Sequence, residues 1–206
     1  MVAQLLHRCR TVDTAEKDQH LKRLRSTGYT KIEQGLDPLV VKTLLENVLD
    51  QYERHKNTMA SAPSEWDDAL WVLNLQNKAK AFIDLLGLPV VPWLLKAMLN
   101  DPYFRHLPKD DPNYILGQFV ARSSVKPLEL HIDAGMPQPG PQTTMMQLGF
   151  VLEDMDESNG CTLVVPGSHL LGEYSDRDLT HLHPVHAKSG DIVVWDSRVW
   201  HGSGAN

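Results

Sequence analysis

The chain has 206 residues, an apolar fraction of 42%, a charged fraction of 22% and a formal net charge of −6, which fits one globular domain with a sizeable core. So mild an acidic balance gives no reason to expect nucleic acid or an anionic membrane as partner, and no apolar run approaches the roughly 18 residues of a membrane span. Met1–Arg10 lacks the apolar region and cleavage site of a secretory signal, and Cys9 and Cys161 read as two reduced thiols, so a cytoplasmic protein without a disulfide framework is expected.

The first third reads as helical. Thr14–Ser26 is polar with Leu21 and Leu24 three apart, an amphipathic helix ending near Gly28. Tyr29–Glu33 is a short strand. Asp37 and Pro38 open a second helix as N-cap and first helical residue. Its apolar face (Val41, Leu44, Leu45, Val48, Leu49, Tyr52) runs to about His55. His55–Asp68 carries Pro63 and reads as a loop. Ala79–Leu86 and Pro92–Leu99 are two further helices, with Pro89 and Pro92 at the break. After Pro112 the character changes. Tyr114–Ser123, Met145–Leu152, Cys161–Val165 and Asp191–Trp195 are strand-like and are punctuated by Gly, Pro, Asn and Asp. The plan is α+β: a helical layer over 1–112, and an antiparallel sandwich or barrel over 113–206.

Three segments carry chemistry. In His131-Ile132-Asp133, positions two apart on a strand share a side, so an imidazole and a carboxylate can grip one ion. A second histidine from a distant strand would complete a two-His, one-carboxylate face that leaves three positions open on an octahedral ion, the arrangement of non-haem Fe(II) oxygenases. The tripeptide alone is more often a surface loop. The end of the chain, Gly190-Asp191-Ile192-Val193-Val194-Trp195-Asp196-Ser197-Arg198-Val199-Trp200-His201-Gly202-Ser203, offers His201. Between them Asn159-Gly160 makes a turn into Cys161–Val165, followed by Pro166-Gly167-Ser168-His169, where a structural or rim role is expected for His169.

In this order the three segments resemble the phytanoyl-CoA dioxygenase family. Gly28-Tyr29, Leu73–Lys78 and Phe82–Leu86 are also similar to segments of that family, and the resemblance runs from about Leu21. It implies a double-stranded β-helix (jelly-roll) core beneath an N-terminal helical layer. It implies Fe(II), the cosubstrate 2-oxoglutarate and O2, with His131, Asp133 and His201 as iron ligands. Ser203 matches a position that contacts the cosubstrate, and Gln118 is a further candidate contact. The family also places an arginine about ten residues past the distal histidine, on the last core strand. This chain stops at Asn206, so that strand lies outside it, and an incomplete chain is the expectation. Related halogenases replace the carboxylate ligand with a small residue. Asp133 is retained here, which favours hydroxylation or a related oxidation (desaturation, ring closure, epoxidation) over halogenation; the expected reaction is hydroxylation of a small or medium-sized metabolite, with release of succinate and CO2.

Other clusters have blander readings. His181, His183 and His186 mimic a zinc site but read as loop and strand edge around Pro184. Glu153, Asp154, Asp156 and Glu157 read as a solvated turn. Trp66, Trp71 and Trp93 read as packing, while Trp195 or Trp200 could line the pocket. Arg198 could meet an anionic substrate or form a surface ion pair. Ala134–Thr144, with three prolines, reads as pocket rim. Two alternatives stay open: a cupin-like metal-binding jelly roll, and a catalytically silent relative acting as a binding module. Substrate and oligomeric state are not legible.

Overall fold

The computed structural model describes residues 2–56, 69–99, 108, 114–124, 126–173 and 181–206. The expected loop after His55 and the packing role of Trp66 lie outside the described residues.

Helix α1 (Thr14–Thr27) starts where the Asp13 carboxylate accepts the Glu16 N–H at 2.9 Å. It ends at Gly28, whose φ of 82° is the left-handed cap conformation. A Cβ at Gly28 would stand 2.2 Å from Val199 Cγ2 and 2.6 Å from His169 Nδ1, so only glycine lets this helix end lean on the C-terminal segment. Strand β1 (Tyr29–Ile32) follows. Asp37 accepts the Leu39 N–H at 2.9 Å and opens α2 (Pro38–Lys56), which buries Val40, Val41, Leu44 and Val48. Each of those side chains contributes at most about 1.5–3 kcal/mol of burial.

After β2 (Ala69–Val72) come α3 (Lys80–Asp84), a 3-10 turn over Leu85–Gly87, and α4 (Val90–Leu99). Pro92 is the third residue of α4 and not its boundary. A missing N–H costs nothing in a first turn, where the N–H groups have no helical partner anyway. Six strands then follow the next, β3 (Ala121–Ser124): β4 (Leu128–His131), β5 (Met146–Phe150), β6 (Thr162–Val164), β7 (His183–Val185), β8 (Ile192–Asp196) and β9 (His201–Ser203). Of the expected strand over Tyr114–Ser123 only Ala121–Ser124 pairs, and 114–120 is irregular. Strands β2 and β7 carried no clear alternation and were not expected, and β4 was expected only as the strand through His131–Asp133; β7 even contains Pro184, tolerable because it lies at the edge of its sheet.

The result is a mixed α/β fold with three antiparallel sheets, in the orders β1-β8-β5, β2-β3 and β4-β9-β6-β7. The division into helical and β halves is less clean than the sequence implied, because the N-terminal strand β1 pairs with β8. The main core joins Leu24, Ile32, Leu44, Phe82 and Leu94 to Ile192 and Val194 of β8, and a smaller one joins Val164, Val185, Val193 and Val199. Among the described residues no single helix is long and apolar enough to cross a membrane.

Consecutive strands β8 and β9 belong to different sheets, so the four residues between them carry the chain from one sheet to the other. On arrival β9 is wedged between β4 and β6. A Cβ on Gly202 would lie 2.5 Å from the Leu128 carbonyl oxygen. Gly202→Ala should therefore push β4 from β9, costing about 1–3 kcal/mol as overpacking does. A thermal melt should show a fall of a few degrees to about ten; an unchanged melting temperature would mean that β4 yields freely.

Candidate metal centre

Strand β4 ends at His131, which faces His201 directly across the β4–β9 pair, with ring centroids 4.4 Å apart. Asp133 is not on the strand, as expected from its spacing, but in the turn that follows it. That turn still swings its carboxylate between the rings. Oδ1 lies 3.6 Å from His131 Nε2, and Oδ2 lies 3.3 Å from His201 Nε2. One ligand atom from each of His131, Asp133 and His201 falls within 4.8 Å of the others, and no other such group of three occurs among the described residues.

The backbone sets the histidine tautomers. His131 Nδ1 is 2.8 Å from the Glu129 carbonyl, and His201 Nδ1 is 2.9 Å from the Val199 carbonyl. A carbonyl can only accept, so both Nδ1 atoms carry the proton, and each ring turns its Nε2 to Asp133, where a bare Nε2 could ligate a cation. Without a proton on either Nε2, two lone pairs and a carboxylate would repel one another unless a cation, metal or proton, lay among them. The donor set thus fits a divalent metal: two imidazole nitrogens and one carboxylate on one side, with both rings oriented by backbone acceptors. Trp195 Nε1 donates to Asp133 Oδ2 at 3.3 Å, and its ring lies 5.4 Å from that of His201. Burial pushes the Asp133 pKa up, but its hydrogen bonds with His131, His201 and Trp195 outweigh this and hold the carboxyl well below the usual range. The His131 pKa is raised, chiefly by the Asp133 carboxylate.

The turn that delivers His201 is built on Asp196, which is 1% exposed. Its Oδ1 accepts from Arg198 N at 2.9 Å and Arg198 Nε at 3.0 Å; its Oδ2 accepts from Arg198 Nη2 and the Thr143 hydroxyl, at 2.7 and 2.8 Å. Arg198 Nη1 donates to the Gly140 carbonyl at 2.7 Å, and Ala134 N donates to the Ser197 carbonyl at 3.0 Å. Both ends of the segment after Asp133 are therefore tied to this turn. Arg198 is 3% exposed and its ion pair with Asp196 is buried, so the surface ion pair of the sequence reading gives way to a buried one. Trp200 N donates to the Ser168 hydroxyl at 2.9 Å, which fixes the last residue before His201.

The family model for phytanoyl-CoA dioxygenase matches residues 24–206. The chain belongs to the phytanoyl-CoA dioxygenase family. This is a family of Fe(II)- and 2-oxoglutarate-dependent oxygenases. A dioxygenase of Aspergillus fumigatus, af480, is 36% identical over 94 residues, which are 42% of this chain and 30% of that protein. The chain is also similar to two solved structures. The epimerase SnoN, in complex with Fe3+, α-ketoglutarate and a nogalamycin, is 20% identical, with a TM-score of 0.61 over 94% of this chain and 79% of that one. HygX of Streptomyces hygroscopicus, with nickel and 2-oxoglutarate bound, is 16% identical, with a TM-score of 0.65 over 95% and 82%. At these identities the two structures speak for the fold.

In this family member the remaining candidates divide. Ser203 lies on β9 two residues past His201, and its Oγ accepts from Leu128 N at 3.1 Å. Gln118 is exposed on the irregular stretch 114–120 and has no hydrogen bond to the triad or to Ser203. His169 is buried against Gly28, in a structural position. Of the other histidines, His183 lies on the edge strand β7 and His186 pairs with Glu157. The acidic run is exposed, with Asp154 taking Lys188 and Asp156 capping a 3-10 turn. Sequence reasoning placed Trp195 near the centre but missed Thr143. The pattern Asp196-x-Arg198, a carboxylate and a guanidinium two apart just before a ligand, was a readable signal for the ion pair; Thr143 had none.

Removing the Asp196 carboxylate strands a buried guanidinium, so Asp196→Ala should cost about 3–5 kcal/mol. Denaturant melts would show it, together with weaker retention of added divalent metal. Burial raises the Asp196 pKa, but Arg198 and Thr143 outweigh it, and the net shift is downward from 3.8. Folded protein thus holds this proton less readily than unfolded chain. The stabilisation is complete above the ordinary carboxylate value and is lost as pH falls below it. Wild type should lose stability steeply below about pH 4, where Asp196→Ala should respond less.

Proposed function

We propose that this protein is a non-haem Fe(II)- and 2-oxoglutarate-dependent dioxygenase that hydroxylates a small or medium-sized metabolite, with His131, Asp133 and His201 holding the iron. The observation that carries this reading is the convergence of two histidines, each locked by a backbone carbonyl with Nε2 inward, on one carboxylate. Iron held there supplies oxidation of the substrate by O2, coupled to conversion of 2-oxoglutarate to succinate and CO2.

The chain's own residues prepare that chemistry. Glu129 and Val199 hold the ligand rings, and the Trp195 indole holds Asp133 Oδ2 and shields it. His201 is buried, whereas the side chains of His131 and Asp133 are 35% and 23% exposed. The triad is therefore more accessible from the side of His131 and Asp133, next to the 134–144 segment, and a substrate would approach iron held by the three residues from there. Ser203 is the cosubstrate contact proposed from β9, and Gln118 rests on the resemblance alone. A purely structural metal site would be closed by a fourth protein ligand; none of the described residues supplies one.

SnoN, a fold neighbour, is an epimerase, so the outcome at the substrate needs its own readout. Hydroxylation raises the product mass by one oxygen atom, whereas epimerisation leaves it unchanged.

Anaerobic addition of Fe(II) and 2-oxoglutarate should give the visible charge-transfer band of a chelated 2-oxo acid, and His131→Ala should abolish it. Metal binding without any band would overturn the oxygenase reading and favour the cupin-like alternative.

A further inference from the structure

Strand β5 packs Met146, Leu148 and Phe150 against the main core. Side chains alternate along a strand, so Gln147 and Gly149 stand on its other face, with Val151 of the smaller core. That face also carries Trp195. Gln147 pairs with Trp195 across β5 and β8, and Trp195 pairs with Tyr29 across β8 and β1. Opposite, the sheet β4-β9-β6-β7 presents His131, His201, Val164 and His183 in one row. The Tyr29 ring lies 6.1 Å from that of His183, and the Trp195 ring 5.4 Å from that of His201. The two rows therefore run in the same direction, and the next step in each sets Gln147 of β5 on the side of His131 of β4.

The Gln147 side chain is half-buried and makes no hydrogen bond to a described residue. Gly149, next to it on that face, has no side chain to cover it. A primary amide offers two donors and an acceptor with two lone pairs, and polar groups withdrawn from water ordinarily have partners. These face the accessible side of the triad with partners still to gain.

The surroundings specify the kind of partner. From Ala134 to Leu152 the chain carries no Asp, Glu, Lys, Arg or His, although 22% of its residues are charged. Met136, Met145 and Leu171 are exposed along this border, where Pro139 packs on Gly172. A charged group brought here would lose hydration and meet no counter-charge on this segment, which is costly. A neutral polar group loses less and gains the amide. Apolar walls with a few placed polar groups are the ordinary make-up of a small-molecule site, and an amide left unpaired by the wrong ligand sharpens its choice.

We propose that Gln147 selects the primary substrate by hydrogen-bonding a neutral group on it (a hydroxyl, carbonyl or amide), and that this substrate is an uncharged molecule with an apolar body. The assignment rests on the oxygenase reading above.

Wild type, Gln147→Leu and Gln147→Glu are loaded anaerobically with Fe(II) and titrated with 2-oxoglutarate. Each is then titrated with hexanamide, hexanoate and hexylammonium, which share a chain and differ in charge, and the perturbation of the visible band is followed. Wild type should respond to hexanamide at concentrations about tenfold below those of the two ions, which carry the cost of an unpaired charge. Gln147→Leu should weaken hexanamide by about 3–10-fold, the size of one neutral hydrogen bond. Gln147→Glu should turn the preference to hexylammonium. The 2-oxoglutarate titration should be the same in all three proteins. Melting curves check that each variant is folded; should Gln147→Leu fail to fold, the isosteric Gln147→Glu decides. Hexanamide titrations unchanged in both variants overturn the assignment, as does a wild type that prefers either ion or responds to none of the three. Weaker 2-oxoglutarate binding in Gln147→Leu with hexanamide unchanged overturns it too, and gives the amide to the cosubstrate. A wild-type protein with no band in 2-oxoglutarate overturns the oxygenase reading and this one with it; a wild-type band that the probes perturb in the wrong order overturns only this one.

Discussion

The geometry of the centre depends on one buried carboxylate. Asp196 closes strand β8 in one sheet, and His201 opens strand β9 in another. Four donor contacts from Arg198 and Thr143 hold the turn between them. Energy alone does not account for such a pair. Desolvating two charges offsets much of their attraction, and an apolar pair of similar volume could be as stable. The ion pair does what apolar side chains cannot: its leftover donor takes the Gly140 carbonyl, and its second oxygen takes Thr143. The segment after Asp133 and the segment before His201 are thus referred to one point. Ligands from the two ends of a 70-residue span keep register because both ends are tied to the same turn.

A division of labour within the centre follows. Its firmer half comes from β8, β9 and the turn between them, where Trp195 and Val199 pack in the smaller core and His201 is buried. Its looser half comes from β4, whose pairing with β9 shifts register between Leu128 and His131. That irregularity brings the His131 ring onto His201 and lets the chain turn at Asp133. An uninterrupted strand would have put Asp133 further along the ladder and not between the rings.

What the sequence made legible, and what it hid, follows from range. The convergence of His131, Asp133 and His201 was readable because their residue types and order are distinctive and because metal chemistry tolerates few substitutes. Helices α1 and α2 were readable from local cues, Asp13 with Gly28 and Asp37 with Pro38. Strands β2 and β7 were not, since three- and four-residue strands pinned by distant partners carry no alternation of their own. The placing of Asp133 beside the two histidines was expected for a wrong local reason, a continuous strand in place of a turn. Gln147 was invisible because its meaning lies in its neighbours: only once the chain is folded does its amide stand on the same sheet face as Trp195.

The same contrast locates specificity. The groups that fix the triad are backbone carbonyls, the Trp195 indole, the Ser168 hydroxyl, a buried ion pair and a close-packed glycine, and they are spent on the triad and its turn. The segments bordering the open side are of another kind. The 134–144 loop packs against Gly172 through Pro139, at a spacing that leaves no room for a Cβ. Around that contact the chain exposes Met136 at 61% and Leu171 at 66%. Apolar side chains on irregular segments, anchored at one end by Arg198 and Thr143, can change shape and size without disturbing the ligands. A family that keeps its metal chemistry while varying its substrates needs this separation: a centre whose geometry is set from beneath by a buried turn, and a rim whose side chains are free to differ.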